Sequence, residues 1–474
     1  MSKKAVKVLS GVMAVFFLFA VTAGCSGSKD ISQDSNKPAE TLEEKEGQPT
    51  GEEAELQAEE PAYDFGGRVM KFVAAWTLEP EPGSSEYADK MIARMADLEK
   101  KYNFKTEYLN IEMSQLLEQF TASVLAGDPV GDIVYVWSYW FYPSFVSAGM
   151  VYPVSDLGIF DFTEEKWNQD VIKFGTYQGK VYGFDTGKTY PRGAIFWNKN
   201  IFERDGLPNL YELQNNRTWT WDKLLEIAQK ATKDLDGDGV IDQWGLGGVS
   251  TDMGILFSNN AEVVRADENG KPVFTLTEPN AIEALQFYQD LIHKYKVYNL
   301  PPDGANWDYP MQQFTDGKLA MMYGEWWMAG GFNVNMSDDY GYVVFPMGPK
   351  ADQYVVRQSE LTFPVIPSTA KKPEEIAIVW DARTDPFPDD DPDAWKEGYE
   401  AEARDAETID TIEMIMNEQI SKLDLHRGFR QVEELMWTLM WFIYSGNKTP
   451  QVAVEEYAQQ AKSILDDVWN EIAQ

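Results

Sequence analysis

Asp234, Asp236 and Asp238 alternate along "DLDGDGVIDQWG", Asp234 to Gly245. In a calcium loop of the EF-hand kind they would hold positions 1, 3 and 5, with the sharp turn at Gly239, a backbone carbonyl from Val240 at position 7 and Asp242 at position 9. Hard oxygen ligands at alternate positions suit Ca²⁺, and three carboxylates held together without a cation repel one another. Position 12 is Gly245, so the bidentate Glu is absent and Gln243 or water would have to complete the shell. A metal-free Asp/Gly turn has the same spacing, and spacing alone leaves both readings open.

Other catalytic patterns fail on inspection. "GFDTGKT", from Gly183, has three residues between its first Gly and Gly-Lys-Thr, whereas a phosphate-binding loop needs four. Neither a GxSxG elbow nor an HExxH helix is present. With two histidines, His293 and His426, and one cysteine, mixed nitrogen-sulfur metal sites are nearly excluded, and a Ser-His or Cys-His pair has little to draw on. A pair of carboxylates for glycoside hydrolysis is expected by chance among 77 acidic residues. The chain therefore reads as a non-enzyme with no catalytic cofactor, and a surface-anchored polysaccharide hydrolase or lyase is the alternative.

The formal charge of -36 repels nucleic acid from most of the surface. A chain of 474 residues, 44% apolar and 14% aromatic, is long and greasy enough for two packed units. Its single cysteine closes "MSKKAVKVLSGVMAVFFLFAVTAGC". Lys3, Lys4 and Lys7 precede an apolar run from Val8 to Val21 that is short for a membrane span, and small residues follow. Thr22-Ala23-Gly24-Cys25 resembles a bacterial lipoprotein signal, in which residues 1–24 are removed and Cys25 becomes a lipid-bearing N-terminus; Thr22 departs from the usual branched apolar residue. Residues 25–62 then form an acidic, Ser/Glu/Pro-rich tether too polar to fold. This predicts a protein held by lipid on the outer face of a bacterial membrane.

The body begins at "YDFGGRVMKFVAAW". Strand, helix, strand, helix, strand from Val69 to Trp137 is the signature of a parallel sheet wound in βαβ units. Strands and helices keep alternating to the C-terminus. "DPFPDDDPDAW", about Asp385 to Trp395, reads as an acidic surface loop. "MWTLMWFIYSG", from Met436, reads as a core helix rather than a span.

The chain resembles the family 1 extracellular solute-binding proteins, the maltose-binding-protein-like sugar receptors of ABC importers. The residues that carry the match include "SVLAGDPVGDIVYVW", "GKVYGF", "FWNKNIFERDGL", "TWTWDKLLEIAQKAT", "FTDGKLAMMYGEWWM", "YGYVVFPMGP", "VIPSTAKKPEEIAIVW" and "SGNKTPQVAVEEY", in that order. The resemblance implies an α/β protein of two lobes, each a mostly parallel sheet flanked by helices, with crossing strands as hinges and a ligand trapped between. It places residues 63–178 and 367–425 in one lobe and 179–366 and 426–474 in the other, with crossings near Gly175 to Gly183, Leu361 to Pro367 and Leu425 to Arg430. A monomer is expected. Its partners would be a sugar or oligosaccharide and two permease subunits, or alternatively a sensor kinase to which bound sugar is presented.

Ligands of doubly wound sheets lie beyond the carboxyl ends of the strands. That rule, with the resemblance, nominates Trp76, Trp137, Tyr139 and Trp140 from one lobe and Tyr190, Arg192, Glu325, Trp326 and Trp327 from the other. Flat rings suit the apolar face of a pyranose, and Glu or Arg suits its hydroxyl rim. Trp219, Trp221 and Trp437 read as core, and Trp326 has a structural alternative. Some family members hold Ca²⁺ in a loop of the Asp234 type, with the residue after position 9 adding an oxygen, which nominates Gln243.

Overall fold

The computed structural model describes residues 63–140, 145–186, 193–268, 270–358, 361–389, 391, 395–416 and 420–472. Cys25 with the whole 1–62 segment, and Tyr190 and Arg192, lie outside them.

Gly66 and Gly67, both at positive φ, turn the chain into the first strand, Arg68–Ala74. It pairs in parallel with Phe104–Asn110 and with Ile133–Trp137. Thr362–Val365 adds antiparallel to the last of these, Thr362 opposite Trp137 and Val365 opposite Val134. The connecting helix Glu86–Tyr102 starts where the Ser85 hydroxyl accepts the Ala88 N–H and stops at Asn103, in the left-handed region. It buries Met91, Met95 and Leu98, the face its periodicity predicts. Beneath it Phe184 stacks on Trp380 with ring centroids 4.4 Å apart, and Phe160 and Trp167 meet Phe184 edge-on.

The second sheet runs Tyr340–Val343, Ala194–Asn198, Met321–Gly324, Gly247–Gly248. Its central Ala194–Asn198 strand is antiparallel to both neighbours, so "mostly parallel" describes the first sheet and not this one. Three helices, Lys199–Asp205, Leu210–Asn215 and Trp221–Ala231, separate that strand from Gly247, a path long enough to return the chain in either direction. Helix-strand alternation alone does not fix direction.

Trp219 is fully buried and donates from Nε1 to the Val344 carbonyl at 2.8 Å; Trp221 stacks on Phe287 at 4.4 Å. Both are core, as expected. Trp437 is not: it is 67% exposed. The helix Arg430–Ser445 buries Val432, Met436, Leu439, Met440 and Ile443, and one residue beyond Met436 the helix has turned by about 100°, which carries Trp437 to the solvent face. Among the described residues no helix is long and apolar enough to cross a membrane.

The segments that join the sheets touch one another. Gly183 bridges Val365, the Tyr182 N–H donates to the Gly175 carbonyl at 2.9 Å, and Val151 bridges Pro367. Val356–Gln358 pairs in parallel with Ser421–Leu423. Thr362–Val365, allotted to the 179–366 lobe, hydrogen-bonds into the first sheet. Residues 402–415, allotted to the first lobe, pack on the second sheet: Tyr211 donates to Asp405 at 2.9 Å, Gln214 to Thr411 at 2.9 Å and Asn333 to the Glu402 carbonyl at 2.7 Å. The acidic segment after Arg383 is where the chain passes from one sheet's helices to the other's.

A methyl group at Gly175 would sit 1.8 Å from the Gly183 carbonyl oxygen. Gly175→Ala should therefore cost about 1–3 kcal/mol in denaturant unfolding. Gly331→Ala, on a helix with nothing within 4 Å of the added carbon, should be neutral or stabilising by up to about 1 kcal/mol.

Candidate functional site

The Arg68–Ala74 and Ile133–Trp137 strands run parallel, so the residues that follow them emerge on the same edge of the sheet. Trp76 meets Trp137 edge-on with centroids 5.5 Å apart and Tyr135 edge-on at 5.8 Å. Trp137 in turn meets Trp140 at 4.9 Å. Trp76 and Trp137 are half-buried, whereas Trp140 is buried and belongs to the core. A short helical turn at Ser138–Trp140 places Trp140 behind Trp137 as support rather than as a ligand face. The side chain of Tyr139 is not among those described.

On the second sheet the Met321–Gly324 strand ends into Glu325-Trp326-Trp327. Trp327 is 51% exposed and donates from Nε1 to Glu325 at 2.8 Å. Trp326 points the other way, against Phe196, Tyr342 and Tyr399, which matches its structural alternative. Beside Trp327, at 6.0 Å, stands Trp307, 67% exposed. Sequence reading missed Trp307, which lies in a loop with no periodic signal. Each aromatic group is internally packed, and among the described residues no ring contact links the two.

A cavity of about 1110 Å³ opens next to Tyr135. Its lining includes Asp185, Arg383, Lys166, Trp167 and Phe387, none nominated from sequence, because no short motif joins positions so far apart. Asp185 accepts the Thr186 N–H at 2.9 Å. Burial pushes its carboxyl up to about 6, despite the nearby Arg383 guanidinium, and burial also pushes the Tyr135 hydroxyl up to about 12. Thr186 is also on the wall.

The acidic loop folds as a ring of carboxylates. Oxygens of Asp234, Asp236 and Asp242 lie within 4.8 Å of one another. Gly237 and Gly239, both at positive φ, donate backbone N–H groups to Asp234 at 2.6 and 2.8 Å; the Gly239 bond, then the Gly237 bond, lowers the Asp234 carboxyl. Asp242 accepts from Leu235 N at 2.7 Å and Asp238 from Val240 N at 2.7 Å. Gln243 is turned away from this ring. It is buried, donates to Asp205 at 3.0 Å and to the Ala231 carbonyl at 2.7 Å, and accepts from Arg204. Its amide oxygen is thus committed to a guanidinium, and Gln243 anchors the loop instead of serving as a ligand.

A family model, described as bacterial extracellular solute-binding protein, matches residues 81–382. The chain belongs to this family. Solved structures agree on the fold of this solute-binding protein. An ABC transporter solute-binding protein from Thermotoga lettingae, bound with α-D-tagatose, is 20% identical with a TM-score of 0.55, over 84% of this chain and 100% of that one. The GacH receptor of Streptomyces glaucescens, solved unliganded and with acarbose, gives 15% and 0.59 over 85% and 99%. UgpB from Mycobacterium tuberculosis, in complex with glycerophosphocholine, gives 16% and 0.59 over 84% and 98%. At these identities the likeness is one of fold.

One further cluster in this solute-binding protein has the residue types of a catalytic dyad. His426 Nδ1 bonds Asp424, which also takes the Arg357 Nε at 2.5 Å. All three side chains are almost fully buried, and among the described residues no serine or cysteine bonds His426. Burial would raise the Asp424 carboxyl, but the charges of His426 and Arg357 outweigh it and hold the group well below the usual carboxylate range. The triad sits where the Val356–Gln358 and Ser421–Leu423 strands pair, and it fastens two crossing segments together.

Proposed function

We propose that this protein captures a sugar or oligosaccharide outside the cell and hands it, unchanged, to the two permease subunits of an ABC importer. The observation that carries the reading is the half-buried Trp76–Trp137 pair at the carboxyl edge of the first sheet, beside a cavity whose walls mix Asp185, Arg383 and aromatic rings. Indole faces stack on pyranose C–H surfaces while a carboxylate and a guanidinium hold hydroxyls. The tagatose and acarbose complexes of the similarly folded receptors support it. The glycerophosphocholine complex suggests a phosphodiester instead, but Glu164, Glu165, Asp170 and Asp385 add to Asp185 around this cavity and disfavour an anion.

Two lobes built on the two sheets close on the ligand, with Trp327 and Glu325 approaching from the second. The protein acts as a monomer, and lipid on Cys25 holds it to the outer face of the membrane. Asp234, Asp236, Asp238 and Asp242, with the Val240 carbonyl, hold a structural Ca²⁺ that relieves the repulsion within the loop.

Calorimetry against neutral mono- and oligosaccharides should show binding, with Trp76→Ala weakening it about tenfold, since an aromatic face contributes about 0.5–1.5 kcal/mol beyond the area it buries and about 1.4 kcal/mol is tenfold. Binding of phosphodiesters alone would overturn the sugar reading, and new reducing ends after incubation with polysaccharide would make the protein an enzyme. Millimolar Ca²⁺ should raise the melting temperature, by the equivalent of about 2.7 kcal/mol at a hundredfold excess over Kd, and Asp234→Asn should abolish the rise; an unmoved wild-type transition would remove the metal. Cys25→Ser should release folded, ligand-competent protein into the medium, and retention at the membrane would refute the anchor.

A further inference from the structure

A second cavity, of about 630 Å³, is lined by two of the segments that join the sheets, Thr176 to Gly179 and Ser421 to Phe429. Its lining shares only Asp170 with that of the cavity beside Tyr135. One wall is the Gln169–Gly175 helix, tied to the first sheet through Phe174, whose ring meets Phe363 at 5.9 Å. Another is the Val264–Ala266 and Pro272–Phe274 hairpin, tied to the long Pro450–Ile472 helix by Lys271 and Asp466 at 2.6 Å. Tyr177 links the two sides. Its hydroxyl donates to the carbonyls of Val468 and Trp469, both at 3.2 Å, and its ring meets Trp469 edge-on at 5.8 Å.

The volume falls within the roughly 300–1,000 Å³ of small-ligand clefts, and the rings of Phe174, Tyr177, Phe429 and Trp469 make much of the lining apolar. Ser421 Oγ is buried and bonds nothing among the described residues, and a buried hydroxyl without a partner is costly. Charge sets the sign of the ligand. In a chain of formal charge -36, this lining carries three cations, Lys173, Arg265 and Lys422, against Asp170 and Glu262. The cavity beside Tyr135 has the opposite balance, three cations against five carboxylates. Arg265 is taken by Glu278 at 2.7 and 3.2 Å, and Lys422 by Asn260 and, at 3.7 Å, by Glu262. Burial raises the Glu262 carboxyl against the pull of Lys422 and Arg265, which weakens it as a repelling charge. Lys173, exposed at the rim, pairs with no carboxylate among the described residues.

We infer that this cavity binds a small organic acid with an aromatic body, its ring among Phe174, Tyr177, Phe429 and Trp469 and its carboxylate on Lys173 and the Ser421 hydroxyl, and that its occupancy is coupled to sugar binding. Such a ligand touches both walls and two joining segments, so it favours one arrangement of the sheets over others, and differential affinity of that kind is what moves a conformational equilibrium. The coupling rests on the sugar-binding reading; the acid site does not.

Calorimetry on the full chain tests it, with phenylacetate, its neutral counterpart 2-phenylethanol and its cationic counterpart 2-phenylethylamine as probes. The wild-type protein should bind one phenylacetate, about tenfold tighter than the alcohol, the difference a charge-assisted hydrogen bond makes, and tighter still than the amine. Lys173→Gln should weaken phenylacetate about threefold to fivefold, as befits an exposed charge. Ser421→Ala should weaken it about tenfold while the unliganded melting temperature holds or rises, because no hydrogen bond of the free protein is lost. Trp76→Ala should weaken glycans and leave phenylacetate unchanged. Saturating phenylacetate should shift the affinity for a neutral oligosaccharide about fivefold or more, and the glycan should shift phenylacetate by the same factor and in the same direction. The acid site is overturned if phenylacetate does not bind, if the amine binds as tightly, or if Trp76→Ala abolishes binding that Lys173→Gln and Ser421→Ala leave intact. Phenylacetate bound with glycan affinity unmoved refutes the coupling and leaves the site standing. If no glycan binds the wild-type chain, the sugar reading fails, and the phenylacetate titrations still decide the site.

Discussion

A buried ion pair is the constraint on which the architecture turns. Arg357 and Asp424, 3% and 1% exposed, sit on two different segments that run between the sheets, and His426 completes the cluster. Neither charge can be left alone there, since an isolated ion in a protein interior costs several kcal/mol and breaking one partner of such a pair typically costs about 3–5. The parallel pairing of Val356–Gln358 with Ser421–Leu423 is therefore backed by electrostatics as well as by the ladder. With that junction fixed, Leu361 to Pro367 returns to the first sheet and the Arg430–Ser445 helix is launched toward the second.

The geometry of the candidate site has its origin in the first sheet. Parallel strands of the first sheet discharge their successors at one edge, which is why Trp76 and Trp137 meet although 61 positions separate them, from residue 76 to residue 137. The same edge receives Asp185 from the first crossing and Arg383 from the end of the helix that follows Thr362–Val365. The site is thus assembled from four separate stretches of chain, three of them bounded by a crossing or a strand end. Rigid strands supply the aromatic faces, and the segment after Arg383 supplies a wall.

Much of this was legible in the residues. The apolar runs from Val69 to Trp137 carry their periodicity locally, and the strands Arg68–Ala74 and Ile133–Trp137 form where they were expected. Trp219 and Trp221 were legible as core because they flank the Thr220 cap of a strongly amphipathic helix, Trp221–Ala231. Trp437 was not, because the second half of its helix, from Leu435 to Tyr444, is apolar except for Thr438, and the choice of buried face there depends on which neighbour packs against it. Gln243 was assigned by its place in a loop pattern, yet the Arg204 side chain, 39 residues earlier by position, claims its oxygen. The direction of Ala194–Asn198 and the allegiance of residues 402–415 escaped for a related reason: both depend on how long connections travel.

By itself the sequence determined the α/β class, the alternation of strands and helices, the aromatic residues at the strand ends and the spacing of the aspartates, all of which rest on spacing within a few turns or strand repeats. Only the tertiary structure decided that Trp140 supports rather than presents, that Trp307 joins Trp327, and that Asp185, Arg383 and Phe387 share a cavity. These are meetings of residues far apart in the chain, and the physical reason they could not be read is that no local period encodes which distant side chains the crossing segments bring together.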